Sequence, residues 1–375
     1  MKVAWTVLYI MASVWIVGMV MSITGVPFGK DGLYRPAARV GVVGGPAVAA
    51  PAAPPSAAAP AAAPKATPAP TAQPAAPQPV AAAEQHVSHD SVASTETKGS
   101  QPLEPRLEDG VKVFDIEAKP IKWEVLPGTF VEAWAYNGQV PGPLIRVTEG
   151  DRMRVNLKNS LPEPTVVHFH GPTLPNSQDG VPGVTQKLVE PGQSFSYEFT
   201  AEPVGTFVYH THHNSAVQEP KGLYGMFIVD PKEGRGFAYN GDPKEGRLRK
   251  YDREYLQIIS ELGGYFAING KAFPATEPML AHPGERVLIR LANLGQTSHP
   301  MHMHGHPFSI VGTDGYPVQG APLIKDTVSI APGERYDLEV LAKNPGTWVF
   351  HCHILSHVMN QGQEPGGMIS VFKVE

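Results

Sequence analysis

The sequence predicts an all-β chain with two tandem β-sandwich domains, and two observations carry that expectation. The first is an internal repeat. Gly150-Asp151-Arg152 and the later His168-Phe169-His170-Gly171 recur at one common offset as Gly284-Glu285-Arg286 and His302-Met303-His304-Gly305. Pro191-Gly192 and Gly205-Thr-Phe-Val-Tyr-His-Thr-His212 recur at a second common offset as Pro332-Gly333 and Gly346-Thr-Trp-Val-Phe-His-Cys-His353. Four landmarks in the same order mark a duplicated unit. The second observation is the texture of each copy. Short β-rich runs such as Met153 to Leu157, Phe195 to Phe199, Val287 to Leu291 and Tyr336 to Val340 are separated by Pro-Gly and Gly-containing turns, with no competing helical period. Units of this kind bury one face of each sheet against another sheet.

The elements in order begin with residues 1–28. No charged residue lies between Lys2 and Lys30, and the apolar stretch from Val3 to Val26 is long enough to span a bilayer. It reads as a transmembrane anchor, with a cleaved secretory signal as the alternative. Either places the body outside the cytoplasm, on the periplasmic or extracellular side: membrane-anchored in the first case, secreted in the second. Residues 29–110 follow as a disordered linker, dominated by Ala and Pro between 37 and 84, a composition that favours extended polyproline II over a core. The first domain is expected over 111–235 and the second over 250–375, with the junction between Pro231 and Asp252.

The chain has 375 residues, 15 of them His and one Cys. That excludes a disulfide framework and a four-cysteine zinc site. The net charge of -5 and the single short basic cluster, Arg247, Arg249, Lys250 and Arg253, read as a solvated linker and argue against a nucleic-acid surface.

The histidines concentrate in four groups: His168/His170, His210/His212, His299/His302/His304, and His351/Cys352/His353/His357. On a strand, side chains alternate faces. Each His-x-His pair therefore presents two imidazoles to one side, and eight converge if the domains meet face to face. The same parity turns Cys352 to the opposite face from His351 and His353, and it turns His299 away from His302. His357 follows where the chain turns back. Two His, one thiolate and a weak thioether make the ligand set of a blue-copper electron-transfer centre, with Met368 as axial candidate. In the repeat Thr165 stands for His299, Thr211 for Cys352 and Ala216 for His357, so only the second domain carries that set. Met226, opposite Met368, reads as a core methionine.

These motifs resemble the multicopper oxidases, and the two-repeat layout with Cys only in the second copy resembles their two-domain laccase-like group. The resemblance covers residues 113 to 375 and implies two cupredoxin-like Greek-key β-sandwiches. It implies a type 1 copper held by His299, Cys352, His357 and Met368. A type 2 copper would be held by His168 and His302, and a type 3 pair by His170, His210, His212, His304, His351 and His353. It implies catalytic roles for Cys352, His351 and His353, which join the sites through one backbone. Asp179 resembles the family's acid near type 2 copper; the alternative is a turn-capping Asp before Gly180. The implied activity is laccase-like oxidation of phenolic, aromatic or metal-ion substrates coupled to reduction of dioxygen to water, in a homotrimer. In two places the chain departs from the family. The usual axial position is Gly362, leaving Met359 as a rival to Met368, and the acid that follows the last His in some members is Val358.

Simpler readings stand beside these. His86, His89, His213, His282 and His306 read as structural or solvated, and Met301 and Met303 as packing under the ligand strand. A tetrahedral zinc site takes four ligands, not eight plus a separate cysteine set. A copper nitrite reductase also has two such domains but keeps its blue copper in the first, where Thr211 lacks the thiol. A non-enzymatic copper-binding electron carrier is the rival from another class. Nothing in the sequence selects the reducing substrate.

Overall fold

The computed structural model describes residues 91–232, 234, 237–238, 248–321 and 323–375. The anchor expected over 1–28 and most of the linker lie outside the described residues, among which no helix is long and apolar enough to cross a membrane. The regular structure described is almost entirely strand.

In the first half a six-stranded sheet is centred on the long strand Val111–Leu126, which pairs in parallel with Arg152–Asn159 and antiparallel with Thr129–Tyr136. Arg152–Asn159 buries alternate residues, the period expected of a sheet with one face on a core. Opposite lies a four-stranded sheet in the order Gly142–Thr148, Tyr224–Asp230, Gly205–His210, His168–His170. The second half repeats the plan. A seven-stranded sheet contains Arg253–Leu262, Arg286–Asn293 and Arg335–Leu341, and a five-stranded sheet contains Met279–Ala281, Ile369–Val374, Gly346–Cys352, His299–Met303 and Thr327–Ile330.

Local devices are duplicated along with the strands. Asn137-Gly138 and Asn269-Gly270 both close two-residue turns with positive φ at each residue (51° and 74°, 50° and 74°), the backbone that an Asn-Gly hairpin turn requires. In each, the Asn Oδ1 accepts a bond from the long neighbouring strand, from Glu117 N at 2.7 Å and Ile258 N at 2.9 Å. Asn159 and Asn293, both fully buried, tie down the loops that lead to the first His-bearing strand of each half. Asn159 Nδ2 donates to Glu163 O and Val189 O, and Asn293 Nδ2 donates to Thr297 O and Ile330 O.

Each half has its own apolar core, around Phe169, Tyr197 and Phe227 in the first and around Met301, Phe350 and Phe372 in the second. A third core joins them, bringing Trp123, Tyr224 and Met226 against Ile258, Leu262 and Ala292. Trp123 Nε1 donates to Gly270 O at 2.6 Å and the Tyr224 hydroxyl meets Ser260 Oγ at 2.7 Å. Beside this seam Arg146 bridges Asp230 at 2.6 Å and Glu254 at 2.8 Å, and Arg290 pairs with the same Glu254.

One expectation is corrected. Residues 91–110 belong to the folded body instead of a disordered linker. Val92–Ala93 pairs in parallel with Val111–Leu126, and Leu103 N donates to Leu144 O while Leu144 N donates to Gln101 O. The segment is held by backbone hydrogen bonds along sheet edges, so its polar side chains stay exposed and carry no burial pattern. Two arginines of the basic cluster are partnered: Arg249 bonds Glu339 at 2.8 Å and Arg253 bonds Glu285 at 2.8 Å.

Candidate metal centre

Strand register places the donors. His302 pairs across with His351, while Met301 pairs with Cys352 and Met303 with Phe350. The imidazoles at 302, 304, 351 and 353 therefore share the outer face, and the two Met, Cys352 and His299 turn inward, where all four are buried to within 1% exposure. In the first half His168 pairs with His210, so His168, His170, His210 and His212 share one face while Phe169 enters the core.

The inward group is the tighter one. Cys352 Sγ lies 3.5 Å from His357 Nδ1 and 3.7 Å from His299 Nδ1, and the two Nδ1 atoms are 3.1 Å apart. Behind His299 the Glu261 Oε1 atom sits 3.3 Å from Nε2, so Nε2 carries the proton and Nδ1 turns its lone pair to the sulfur. Burial opposes ionisation of Glu261, yet hydrogen bonds from His299, Thr297 and Gln296 hold its carboxyl down to about 2. Burial pushes the Cys352 thiol up to about 11. It also lowers His357 to about 4, with repulsion from His299 as the next cause. A thiol and two imidazole nitrogens converging in a buried pocket make a donor set that a soft metal ion fits. His357 stacks on Phe266 at 3.8 Å and is 9% exposed, the one edge of the group that reaches the surface.

Met368 is fully buried in the core that contains Cys352. Cys352 N donates to Met368 O at 3.1 Å, and Met368 N donates to His357 O at 2.8 Å. The residues between His357 and Met368 form a small hairpin: Asn360 and Gln363 pair, Gln361 and Gly362 take positive φ, and Gly366 N returns to Val358 O. Gly362 thus sits in a turn and Met359 is only half-buried.

The outward imidazoles form two quartets. In the second half ring centroids of His302, His304, His351 and His353 lie 4.9 to 5.7 Å apart, and His304 Nε2 faces His351 Nε2 at 3.1 Å. In the first half His168, His170, His210 and His212 lie 5.4 to 6.4 Å apart. Several rings are anchored through Nδ1: His168 to Asp179 O at 2.6 Å, His210 to Thr211 O at 2.8 Å, His302 to Asp326 O at 2.9 Å and His351 to Cys352 O at 2.8 Å. An Nδ1–H donated to a carbonyl leaves Nε2 as a fixed lone pair, the preparation that metal-ligating imidazoles show. Burial, ahead of repulsion between neighbours, lowers the proton affinity of His168, His304 and His351, and with Arg335 nearby takes His170 to about 4. Eight imidazoles, several with Nε2 left free by an anchored Nδ1, suit a cluster of cations. Among the described residues every ring contact of these eight falls within its own quartet. The face-to-face convergence expected of the two domains is not made by these ring contacts within one chain.

Asp179 closes the short helix Asn176–Gln178. Its carbonyl holds His168, and its Oδ1 lies 3.4 Å from the same Nδ1. His306 is buried and accepts Asn344 N, His282 bonds the Glu375 carbonyl, and His213 is half-buried with its N–H on Thr211 Oγ1. His86 and His89 lie outside the described residues. Sequence reasoning missed Glu261, Phe266, Asp326 and Glu219, whose Oε1 lies 3.0 Å from His210 Nδ1. Each sits where no His or Cys pattern marks it: Glu261 and Phe266 lie on paired strands, Glu219 follows a short helix, and Asp326 acts through its backbone carbonyl.

Models of multicopper oxidase domains match residues 117–234 and 244–371. A probable nitrite reductase-hydroxylamine oxidoreductase fusion protein of Kuenenia stuttgartiensis is 31% identical over 71% of this chain and 32% of its own length. The multicopper oxidase MmcO of Mycobacterium tuberculosis is 32% identical over 58% of this chain and 49% of its own. The chain thus spans about half or less of these curated relatives. Among solved structures, the blue copper oxidase of Nitrosomonas europaea superposes with a TM-score of 0.64 at 35% identity, covering 70% of this chain and 86% of that one. With both halves matched and a solved relative followed over most of its length, the chain belongs to the multicopper oxidase family, and copper is the metal its donors serve.

Proposed function

We propose that the protein is a laccase-like oxidase that takes single electrons from a phenolic, aromatic or metal-ion donor and passes them to dioxygen. The observation that carries this reading is Cys352, buried against two imidazole nitrogens and flanked in sequence by two histidines that face the other way. Copper, when bound, supplies one-electron redox chemistry at the inward group and four-electron reduction of dioxygen to water at the outward one.

The residues divide the work. His299, Cys352, His357 and Met368 would hold the type 1 ion, with Glu261 orienting His299. The His357 edge, stacked on Phe266, is the contact offered to an outer donor. The backbone through His351, Cys352 and His353 joins the two sites covalently, a short path for an electron. His168 and His302 would hold type 2 copper, and His170, His210, His212, His304, His351 and His353 would hold the type 3 pair. Asp179 is one-third exposed beside the His168 ring and can relay protons between solvent and the cluster. Because ring contacts stay within each quartet, and His212, His304 and His353 are exposed, the cluster is completed between chains in a homotrimer. The nitrite reductase reading suggested by one relative's name is less well supported, since Thr211 occupies the cysteine position of the first half. The N-terminal segment serves as a membrane anchor that holds the domains outside the cytoplasm.

The test is spectroscopy with oxygen uptake. The copper-loaded protein shows an intense visible thiolate-to-copper band and consumes one dioxygen per four electrons without releasing peroxide. Cys352→Ser abolishes the band and lowers turnover by several orders of magnitude while the remaining coppers stay bound. A variant that stayed blue would overturn the assignment, and oxygen-independent electron transfer would favour a carrier.

A further inference from the structure

The first half contains the same pocket that holds Cys352 in the second, and it is closed by hydrogen bonds. Thr165, at the position of His299, lies 3.1 Å from Thr211, at the position of Cys352. The third corner is Gln218 instead of Ala216, the residue that simple spacing sets opposite His357. Its Oε1 lies 2.9 Å from Thr165 Oγ1 and 2.8 Å from Thr211 Oγ1. The matching contacts in the second half are 3.7, 3.1 and 3.5 Å among His299, Cys352 and His357. All three residues of the first-half triad are 0% exposed, as is Met226, the counterpart of Met368.

Every polar atom of the triad is committed. Gln218 Oε1 takes both hydroxyls, and Nε2 donates to Glu163 Oε1 at 2.8 Å and Pro164 O at 2.9 Å, so the amide has no free donor or acceptor. The two hydroxyls carry one proton each and share three mutual contacts. The triad offers no thiol, no imidazole and no unused lone pair of the amide to attract a metal, and Met226 alone is a weak thioether. A fully satisfied buried network rigidifies what it connects, and what this one connects is specific. Thr165 leads into the His168–His170 strand, Thr211 separates His210 from His212, and Gln218 ends the short helix Ser215–Gln218, next to Glu219, which faces His210 Nδ1 at 3.0 Å.

We propose that Thr165, Thr211 and Gln218 are positioning residues: a metal-free staple that sets the first imidazole quartet in place before copper arrives, at the site where the second half uses copper itself. This rests on the reading of His168, His170, His210 and His212 as cluster ligands. It predicts that the first quartet is ordered in the apoprotein, independently of the type 1 ion.

The experiment compares Thr211→Val, Gln218→Leu and the conservative Thr211→Ser in the full chain, reading copper per chain, the visible thiolate band and the rate at which a chelator strips cluster copper. Thr211→Val and Gln218→Leu are expected to keep the parental band and to lose cluster copper at least tenfold faster, whereas Thr211→Ser behaves like the parent. Thr165→Ala, which leaves the Thr211–Gln218 bond, is the milder variant and carries the same test should Gln218→Leu not fold. Parental resistance to the chelator in folded Thr211→Val and Thr165→Ala overturns the proposal. Equal loss of the blue band and cluster copper also overturns it, since the triad would then support the whole fold. A parent protein that never takes up cluster copper would instead overturn the ligand reading.

Discussion

The two halves share a frame and differ in one pocket. Asn-Gly turns, buried asparagines and parallel pairing of the long strand recur in both, yet one inner pocket converges on a thiol and the other on a glutamine amide. The frame is written in backbone geometry, which tolerates exchange of most side chains. The pocket is written in three side chains, and a different three, with the third corner supplied two residues later, make a hydrogen-bonded plug where the other half gathers a thiol and two imidazoles. The chemistry of this fold is therefore far more local than the fold itself.

The largest effect that would sharpen the comparison lies between chains. His168→Ala/His170→Ala subunits and His351→Ala/His353→Ala subunits are each expected to be inactive. After dissociation and reassembly, mixed rings would pair an intact first half with an intact second half at some interfaces, so oxygen uptake partly returns. Verified mixed oligomers that stay inactive would show that each cluster is built within one chain.

The duplicated asparagines come next. Asn159→Ala and Asn293→Ala each strand two carbonyls and one N–H, so each is expected to cost about 2–4 kcal/mol in thermal unfolding. Their functional signatures should diverge. Asn293 supports Thr297, which bonds Glu261 behind His299, so its loss dims the blue band; Asn159 supports Glu163, which bonds Gln218, so its loss loosens cluster copper. Identical signatures would break the comparison.

A smaller effect concerns acid. Burial opposes ionisation of Glu254, but Arg290 and Arg146 hold its carboxyl down to about 2 across the seam between the halves. A carboxyl depressed in the folded state contributes stability above its unfolded value, and this is lost as pH falls from about 4.5 through about 2. Glu254→Gln should remove on the order of 1–3 kcal/mol at neutral pH and flatten the acid limb of a denaturation profile in that window. An unchanged acid limb would place the acid sensitivity elsewhere.

The smallest effect is electrochemical. Met368→Leu is expected to raise the type 1 potential on the order of tens of millivolts, with Met359→Leu and Met226→Leu nearly silent, because a weak axial thioether tunes potential more than it holds the ion. The opposite ranking for Met359 and Met368 would move the axial contact into the hairpin.

Much of this was legible in the residues themselves. Period-two alternation separated Cys352 and His299 from the outward imidazoles, and the repeat located both sandwiches, because strand parity and duplicated turns are local properties. What stayed hidden depends on partners far along the chain. Glu261, Asp326 and Glu219 act through contacts that no spacing rule marks, and Gln218 escaped because the first half spaces its third corner two residues later than Ala216. Residues 91–110 resemble a linker in sequence because edge pairing uses the backbone and leaves the side chains polar.

The hairpin at Asn360 to Gln363 has a practical meaning. Its tip, Gln361 and Gly362, is exposed, while its base is fixed by Asn360 Nδ2 on Phe273 O and by Asn360 Oδ1 accepting from Gly367 N. Chain length can change at the tip without disturbing Met368 on one side or His357 on the other. A cysteine-free peptide tag or a conductive tether inserted there would sit a few residues from both, giving an attachment point for wiring the protein to an electrode close to the Cys352 group.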